Sequence, residues 1–204
     1  MKIKICGLTK PEEAEYLNRN HVDFAGFVLF YPKSRRNNTI QSAKKIMERL
    51  EDSIKKVAVV VSPSASELLQ IEEAGFDCIQ IHGRLSSNLL EQISLPVWKA
   101  FNVKDMAQYE EYCNCSKITG YVFDAAEPGS GSVFDWHLVK GIPRDGKLLM
   151  LAGGLQPDNV AEAIETVCPD GVDVSSGVEY RDKSGKDPEK IDFFVRNVRY
   201  NQRG

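Results

Sequence analysis

The 204-residue sequence has no marked excess of either charge and no long apolar run. It carries 26 basic and 29 acidic residues and a formal net charge of −3, so bulk charge gives no reason to expect nucleic acid or an anionic membrane as a partner. No run approaches the roughly 20 apolar residues that span a bilayer. The amino-terminal segment has no apolar stretch of signal-peptide length. We therefore expect a cytoplasmic protein in which any anion site is local.

Cysteine usage indicates neither a disulfide framework nor a zinc site. The five cysteines are an odd number without regular spacing. Cys113 and Cys115 are separated by one residue, which is not a zinc-ligand spacing. We expect five free thiols in a reducing compartment.

The sequence does contain a regular alternation of short apolar runs and longer amphipathic segments. Strands are predicted at residues 3–6, 24–30, 56–61, 78–82, 97–101, 120–123, 148–152 and 172–174. The runs at 57–61 and 148–152 are continuously apolar, which is typical of strands buried on both faces of a parallel sheet. Helices are predicted between and after the strands, at residues 11–17, 40–50, 64–73, 87–93, 105–113, 134–140, 158–166 and 188–199.

Eight consecutive βα units favour an α/β fold, a single-domain (β/α)₈ TIM barrel over residues 1–204. An open doubly wound sheet uses the same alternation and is the alternative. No linker, low-complexity tract or break in composition divides the chain. Residues 180–187 form the most polar stretch and are predicted to be a mobile loop before the last helix.

The candidate catalytic residues lie at the carboxyl ends of the predicted strands, since that end carries the active site in such barrels. Cys6 ends the first run, where a thiol is a candidate acid or base, although a cysteine in an apolar run is more often an inert core residue. Asp124 ends the sixth run, where a carboxylate could also merely start a turn. The residues after it, 125–132, are predicted to be a flexible loop that could cover a ligand.

Small residues follow the seventh and eighth runs. Gly153 and Gly154 follow the seventh, and Ser175, Ser176 and Gly177 follow the eighth. The loops after strands 7 and 8 form the usual phosphate site of these barrels, and backbone N–H groups at a helix start favour an anion. Together the two stretches predict a phosphate cradle.

Two further groups are weighed as ligand contacts. Arg35 and Arg36 lie in the loop after the second run, where a solvated basic loop is the commoner case and a guanidinium fork for a carboxylate is the functional one. His82 ends the fourth run and is expected to face the mouth of the barrel. It has no Asp or His ligand set beside it, so no metal site is predicted.

Six motifs, in their order along the chain, resemble phosphoribosylanthranilate isomerase, an enzyme family of tryptophan biosynthesis. They are residues 4–7 (KICG), 30–36 (FYPKSRR), 80–83 (QIHG), 134–136 (FDW), 151–155 (LAGGL) and 173–179 (DVSSGVE). Each motif is modest, but the ordered set is specific and covers nearly the whole chain. Two features depart from the family pattern: Arg35 stands where proline is frequent, and residues 127–132 are poorer in glycine and threonine.

The resemblance implies an Amadori rearrangement of N-(5′-phosphoribosyl)anthranilate to 1-(2-carboxyphenylamino)-1-deoxyribulose 5-phosphate, without metal or organic cofactor. It implies that Asp124 is the general acid at the ring oxygen and that Cys6 is the general base at C2′. Asp124 would then need a raised pKa, and Cys6 would need to be partly ionised. Lys4 is expected on the same side of its strand as Cys6.

The resemblance also implies the residues that bind the substrate. Arg36 would hold the anthranilate carboxylate, and Asp173 would orient a sugar hydroxyl. The phosphate would lie against Gly153, Gly154, Ser175, Ser176 and Gly177. The expected partner is this small phosphorylated substrate, without nucleic acid or membrane, and the chain would be a monomer or a homodimer.

Three other functions are weighed against this one. A histidine-pathway sugar isomerase catalyses the same type of rearrangement, but it resembles two half-barrels and has an aspartate where this chain has Cys6. A metal-dependent pentose-phosphate epimerase would need a His/Asp ligand set. A barrel that binds a phosphorylated metabolite without converting it would not need Cys6 and Asp124 to act as a pair.

Overall fold

Eight parallel strands close into a barrel in the computed structural model, which describes residues 1–102, 108–124, 135–142 and 144–200. The strands are β1 Lys2–Cys6, β2 Phe24–Leu29, β3 Lys55–Val61, β4 Cys78–His82, β5 Val97–Asn102, β6 Ile118–Asp124, β7 Leu148–Leu151 and β8 Gly171–Val174. Each strand pairs with the next, and β1 pairs with both β2 and β8. The predicted TIM barrel is therefore confirmed, because an open doubly wound sheet has two unpaired edges.

Helices follow the strands around the barrel. They are α1 Glu13–Arg19, α2 Ile40–Met47, α3 Ala65–Ala74, α4 Ser87–Gln92, α5 Tyr109–Cys113, α6 His137–Lys140, α7 Val160–Val167 and α8 Pro188–Tyr200. A two-residue strand, Asn37–Asn38, adds to the end of β2, and a 3₁₀ turn at Ser176–Val178 follows β8. Among the described residues, no helix has the length and apolar character needed to cross a membrane.

The helix boundaries differ from the predicted ones where local hydrogen bonds compete with the helix. The helix predicted at 158–166 begins only at Val160, because the side chain of Asn159 bonds the backbone N–H of Gln156 and the carbonyl of Gly154. The first helix begins at Glu13 rather than at residue 11. The starting residues predicted for the helices at 105–113 and 134–140 lie outside the described residues; the described parts of these helices are Tyr109–Cys113 and His137–Lys140.

The buried residues form two layers. One layer lies between the strands and the helices and holds most of the apolar core. The other fills the barrel interior with Val57, Val59, Cys78, Trp98, Ala100, Val122, Met150 and Ala152. The interior also buries polar side chains, among them Lys4, Gln80 and Asp173. Buried polar side chains are uncommon, so these residues indicate the part of the barrel interior that has a role other than packing.

The segment predicted to be a mobile loop, residues 180–187, is held at its base. Glu179 and Lys186 form an antiparallel bridge, and the backbone N–H of Tyr180 donates to the carbonyl of Gly185. Lys186 is fully buried, and its backbone N–H donates to Oε1 of Glu13 at 2.7 Å. Burial of Lys186 thus fixes the base of this segment despite its polar composition, and the mobility of the rest of the loop stays a prediction. All five cysteines are free thiols, as predicted.

Glu13 is the residue that joins the loop after β1 to the loop after β8. Its Oε2 accepts the backbone N–H groups of Thr9 at 2.7 Å and Lys10 at 3.1 Å, while Oε1 accepts that of Lys186. The side chain is almost completely buried. Because one carboxylate satisfies three donors, its loss would leave all three without this partner.

We therefore expect Glu13→Ala to lower the free energy of unfolding by about 3 kcal/mol. Glu15→Ala, at an exposed position of the same helix, is the control and should change the value by less than about 0.5 kcal/mol. Urea unfolding followed by circular dichroism measures both. Equal stability of the two variants would contradict the role assigned to Glu13.

Candidate active site

A cavity of about 700 Å³ opens at the carboxyl end of the barrel. All eight strands, or the residues directly after them, contribute to its wall. The strand contributions include Cys6, Val28, Val59, His82, Asn102, Asp124, Ala152 and Asp173. The volume suits a small organic ligand, and its position is the one at which such barrels hold their active sites.

The two predicted catalytic side chains both line this cavity. Cys6 is the last residue of β1, and Asp124 is the last residue of β6. The two strands are separated by β7 and β8 on one side of the barrel. A ligand in the cavity can therefore be approached by the thiol and the carboxyl group from different sides.

The thiol of Cys6 lies among charged groups of both signs. Burial raises its pKa above the ordinary 9.0, with Asp173 acting in the same direction, while the ammonium groups of Lys4 and Lys186 lower it. The net shift is upward, so the protonated thiol is favoured over the thiolate. This direction is opposite to the one that the expected partly ionised thiol requires, because desolvation outweighs the nearby cations.

His82 faces the cavity, as predicted. Nε2 of its imidazole ring lies 2.9 Å from Nε2 of Gln80. Burial lowers the pKa of His82 to about 3, and the charges of Lys4 and Lys99 act in the same direction. The ring is therefore neutral at physiological pH. It can exchange hydrogen bonds with a ligand but carries no charge.

The loops after β7 and β8 form a further part of the cavity wall. Gly153 and Gly154 both adopt positive φ, at 82° and 67°, which glycine tolerates without strain. Together with Ser175 and Ser176 they line the cavity. These four members of the predicted phosphate cradle are thus brought together.

The fifth predicted cradle residue, Gly177, has a different position. Gly177 is not one of the described residues that line the cavity. It packs against the chain after β7, where an added Cβ would collide with the carbonyl oxygen of Leu155. Its lack of a side chain lets the two cradle loops approach each other, so it shapes the cradle from behind.

Glu179 gathers three cations at the edge of the cavity. Its Oε1 lies 2.6 Å from Nε of Arg36 and 3.0 Å from Nζ of Lys186. Its Oε2 accepts from Nη2 of Arg36 at 3.1 Å and is paired with Arg35. Two of the three guanidinium nitrogens of Arg36 are therefore already bonded, and Nη1 is the one that makes no hydrogen bond to the described residues.

The two arginines differ in how firmly they are held. Both line the cavity, but the side chain of Arg35 is 72% exposed and that of Arg36 is 11% exposed. A fixed guanidinium loses less conformational freedom on binding than an exposed one. The geometry thus favours Arg36 over Arg35 as the group that meets a ligand carboxylate.

Several residues of the site were missed by the sequence analysis. Gln80 begins the motif at 80–83 and Glu179 ends the motif at 173–179, but the sequence analysis assigned neither of them a role, and Lys186 stands in the polar stretch that indicates a mobile loop. Within the described part of the chain, Oε1 of Gln80, Oδ1 of Asn102 and Oδ1 of Asp173 are buried without a hydrogen-bond partner. Three unsatisfied acceptors around one cavity indicate a ligand that brings hydroxyl or N–H donors.

Comparisons with known proteins agree on one family. Residues 3–197 match the family described as N-(5′-phosphoribosyl)anthranilate isomerase. The enzyme of that name from Aquifex aeolicus is 37% identical over 203 residues, which cover 98% of each chain. Crystal structures agree: phosphoribosylanthranilate isomerase from Thermotoga maritima superposes with a TM-score of 0.87 at 33% identity, covering 98% of this chain and 99% of that one.

A second solved structure carries a ligand. It is a phosphoribosylanthranilate isomerase in complex with reduced 1-(o-carboxyphenylamino)-1-deoxyribulose 5-phosphate, with a TM-score of 0.84 and 32% identity, covering 98% of this chain and 99% of that chain. The fold and the site define the present chain as a (β/α)₈-barrel enzyme with its cavity at the carboxyl end of the strands. Within that class it belongs to the N-(5′-phosphoribosyl)anthranilate isomerase family and is an isomerase.

The cation cluster on Glu179 makes a pH-dependent contribution to stability. Its cations, chiefly Arg36 and Lys186, hold the pKa of Glu179 at about 2 against an ordinary 4.5, although burial alone would raise it. The folded carboxylate thus stays ionised where the unfolded one takes up a proton. Its stabilisation is complete above pH 4.5 and is lost as the pH falls toward 2.

We expect Glu179→Gln to be less stable than the wild-type protein at pH 7, with the difference shrinking between pH 4.5 and 2. Chemical unfolding at a series of pH values measures it. Glu48→Gln, at an exposed position after α2, is the control and should follow the wild-type curve. A difference that stayed constant down to pH 2 would show that the charge of Glu179 is not the cause.

Proposed function

We propose that this chain converts N-(5′-phosphoribosyl)anthranilate to 1-(2-carboxyphenylamino)-1-deoxyribulose 5-phosphate, in tryptophan biosynthesis. The observation that carries the proposal is that one cavity holds Cys6, Asp124 and the loops after β7 and β8. A sugar with its phosphate on those loops would extend between the thiol and the carboxyl group. The family of the chain and the ligand named for its relative support the same chemistry.

The first step of the proposed reaction needs an acid. Asp124 donates a proton to the ring oxygen of the furanose while the bond between this oxygen and C1′ breaks. The nitrogen lone pair forms the double bond to C1′, which gives a protonated Schiff base. The carboxyl group must therefore be protonated when the substrate binds, and it is left as carboxylate after this step.

The second step needs a base. The thiolate of Cys6 takes the proton from C2′, and the electron pair of that C–H bond forms the double bond between C1′ and C2′. The electrons of the C1′–N double bond return to nitrogen, which neutralises it. The resulting enolamine then tautomerises: C1′ gains a proton, the hydroxyl on C2′ loses one, and the ketone results. No electrons leave the substrate, so the reaction is a balanced isomerisation.

Different residues of the cavity would bind the phosphate and the carboxylate of the substrate. Gly153, Gly154, Ser175 and Ser176 would present backbone N–H groups to the phosphate. Arg36 would bind the anthranilate carboxylate through the nitrogen that Glu179 leaves unused. Oδ1 of Asp173 would accept a hydrogen bond from a sugar hydroxyl.

The setting of the enzyme is part of the same proposal. The phosphorylated substrate would be its partner, with no requirement for nucleic acid or a membrane. We place the protein in the cytoplasm, with residues 1–204 acting as one domain. A non-catalytic metabolite-binding barrel is the competing function, and it would share the phosphate cradle but not the need for Cys6 and Asp124.

Removal of the acid or the base should abolish most of the turnover. We expect Cys6→Ser and Asp124→Asn each to lower kcat by about 10²–10⁴-fold while KM changes little, because each group acts in the transition state rather than in binding. The measurement is the decay of anthranilate-type fluorescence of freshly generated substrate. Cys168→Ser and Asp52→Asn, at exposed positions, are the matched controls and should retain wild-type rates.

Near-normal turnover in either active-site variant would remove that residue from the mechanism. Absence of turnover in the wild-type protein, with phosphate binding intact, would favour the non-catalytic barrel. These two outcomes are separable because binding of inorganic phosphate can be measured without substrate conversion.

The alkaline limb of the pH–rate profile should lie above pH 9. The active form combines a thiolate with a protonated carboxyl group, so kcat/KM falls at high pH only beyond the higher of the two pKa values. That pKa is at or above the pKa of Cys6, which burial raises above 9.0. We expect kcat/KM to be sustained up to about that pH. A decline that began near neutral pH would contradict the assignment.

A further inference from the structure

The barrel interior holds a fully buried lysine. Lys4 has no exposed surface, and its Nζ lies 2.7 Å from Oδ2 of Asp173, which is 6% exposed. A buried ammonium group is costly unless it is paired. The two residues are 169 positions apart in the sequence, and they meet because β1 pairs with β8, with Lys4 directly opposite Asp173 in the register.

Lys4 lies beside the thiol of Cys6. The two side chains leave β1 on the same face, two residues apart, and both lie over Gly26 of the neighbouring strand. A Cβ added at Gly26 would be 2.8 Å from Sγ of Cys6 and 3.1 Å from Cε of Lys4. Because Gly26 has no side chain, the alkyl chain of Lys4 and the sulfur of Cys6 can both lie against it as neighbours.

We infer that Lys4 is a positioning residue that stabilises the thiolate form of Cys6, and that the carboxylate of Asp173 holds the ammonium group in place. This inference concerns an electrostatic property of the thiol. Its consequence for turnover rests on the proposed function, in which that thiolate is the base.

The other charges around Cys6 leave Lys4 as the principal stabilising group. From the loop after β8, Lys186 also lowers the pKa of the thiol, but its Nζ is shared with Glu179 at 3.0 Å. Asp173 raises that pKa, and Asp124 faces the same cavity from β6. The inward-facing residues of β2 are Phe24, Gly26 and Val28, which carry no charge. The influence of Lys4 is larger than that of Asp173 or Lys186.

Asp173 keeps Lys4 charged. Burial alone would lower the pKa of the lysine, yet the neighbouring carboxylate raises it above its ordinary value. The ammonium group is therefore a permanent charge that cannot itself take the proton from the substrate. Only Oδ2 of Asp173 is engaged in this pair; Oδ1 has no partner among the described residues and remains for a ligand.

The test is the alkylation of Cys6 by iodoacetamide as a function of pH, followed by mass spectrometry of the amino-terminal peptide. Only the thiolate reacts, so the rate at neutral pH reports the thiolate fraction. The variants are Lys4→Met, Lys4→Arg and the double variant Lys4→Met/Asp173→Asn, which removes both buried charges and so avoids an unpaired carboxylate. Lys2→Met is the matched control, since Lys2 is on the same strand but is exposed and paired with Asp23.

We expect Lys4→Met to slow alkylation at neutral pH by about tenfold or more, which corresponds to a rise of about one unit in the pKa of Cys6. Lys4→Arg should recover part of the rate, and Lys2→Met should react as the wild-type protein does. The double variant should remain slower than wild type, since Lys4 outweighs Asp173 at the thiol. Wild-type reactivity in Lys4→Met, or its full recovery in the double variant, would overturn the inference.

Turnover measured on the same variants separates the inference from the proposed function. If Cys6→Ser is inactive and Lys4→Met alkylates at the wild-type rate, the inference about Lys4 fails, while the assignment of Cys6 as the catalytic base stands. If alkylation slows in Lys4→Met but kcat is unchanged, Lys4 does stabilise the thiolate and Cys6 is not the base. Parallel losses of alkylation rate and kcat, without a comparable change in KM, support both.

Discussion

The pairing of β1 with β8 is the interaction on which the rest of this structure depends. It closes the barrel and brings the first strand against residues about 170 positions later in the chain. Across this seam, the hydroxyl of Ser175 donates to the carbonyl of Cys6 at 3.0 Å, and Lys4 meets Asp173. The thiol, its neighbouring charges and the loop after β8 are thus assembled by the same closure.

Closure also buries charge, and the protein offsets this cost by pairing. Lys186 meets Glu179 at 3.0 Å, and Glu13 accepts the backbone N–H of Lys186. An unpaired buried charge would destabilise the fold. The paired charges instead hold the loops around the cavity in place. The same pairs set the electrostatics of the site: they hold cations near the thiol while Arg36 retains one nitrogen for a ligand.

The strands and the principal site residues were predictable because their signals are local. A strand buried on both faces requires a continuous apolar run, and the last residue of such a run lies at the functional end of a barrel. Cys6 and Asp124 were found in this way. The helix ends were less predictable, because the side chains of Asn159 and Glu13 form hydrogen bonds with nearby backbone groups, and apolar periodicity does not reveal such bonds. The loop 125–132, predicted to cover a ligand, lies outside the described residues.

The sequence by itself determined the barrel and the family, since apolar periodicity and ordered motifs are properties of short segments. Only the tertiary structure decided that Lys4 and Lys186 are buried, that Glu179 binds Arg36, and that burial raises the pKa of Cys6. The physical reason is that burial and ion pairing depend on neighbours from distant parts of the chain. A charged residue in a polar stretch carries no local sign of whether water or a buried carboxylate will surround it.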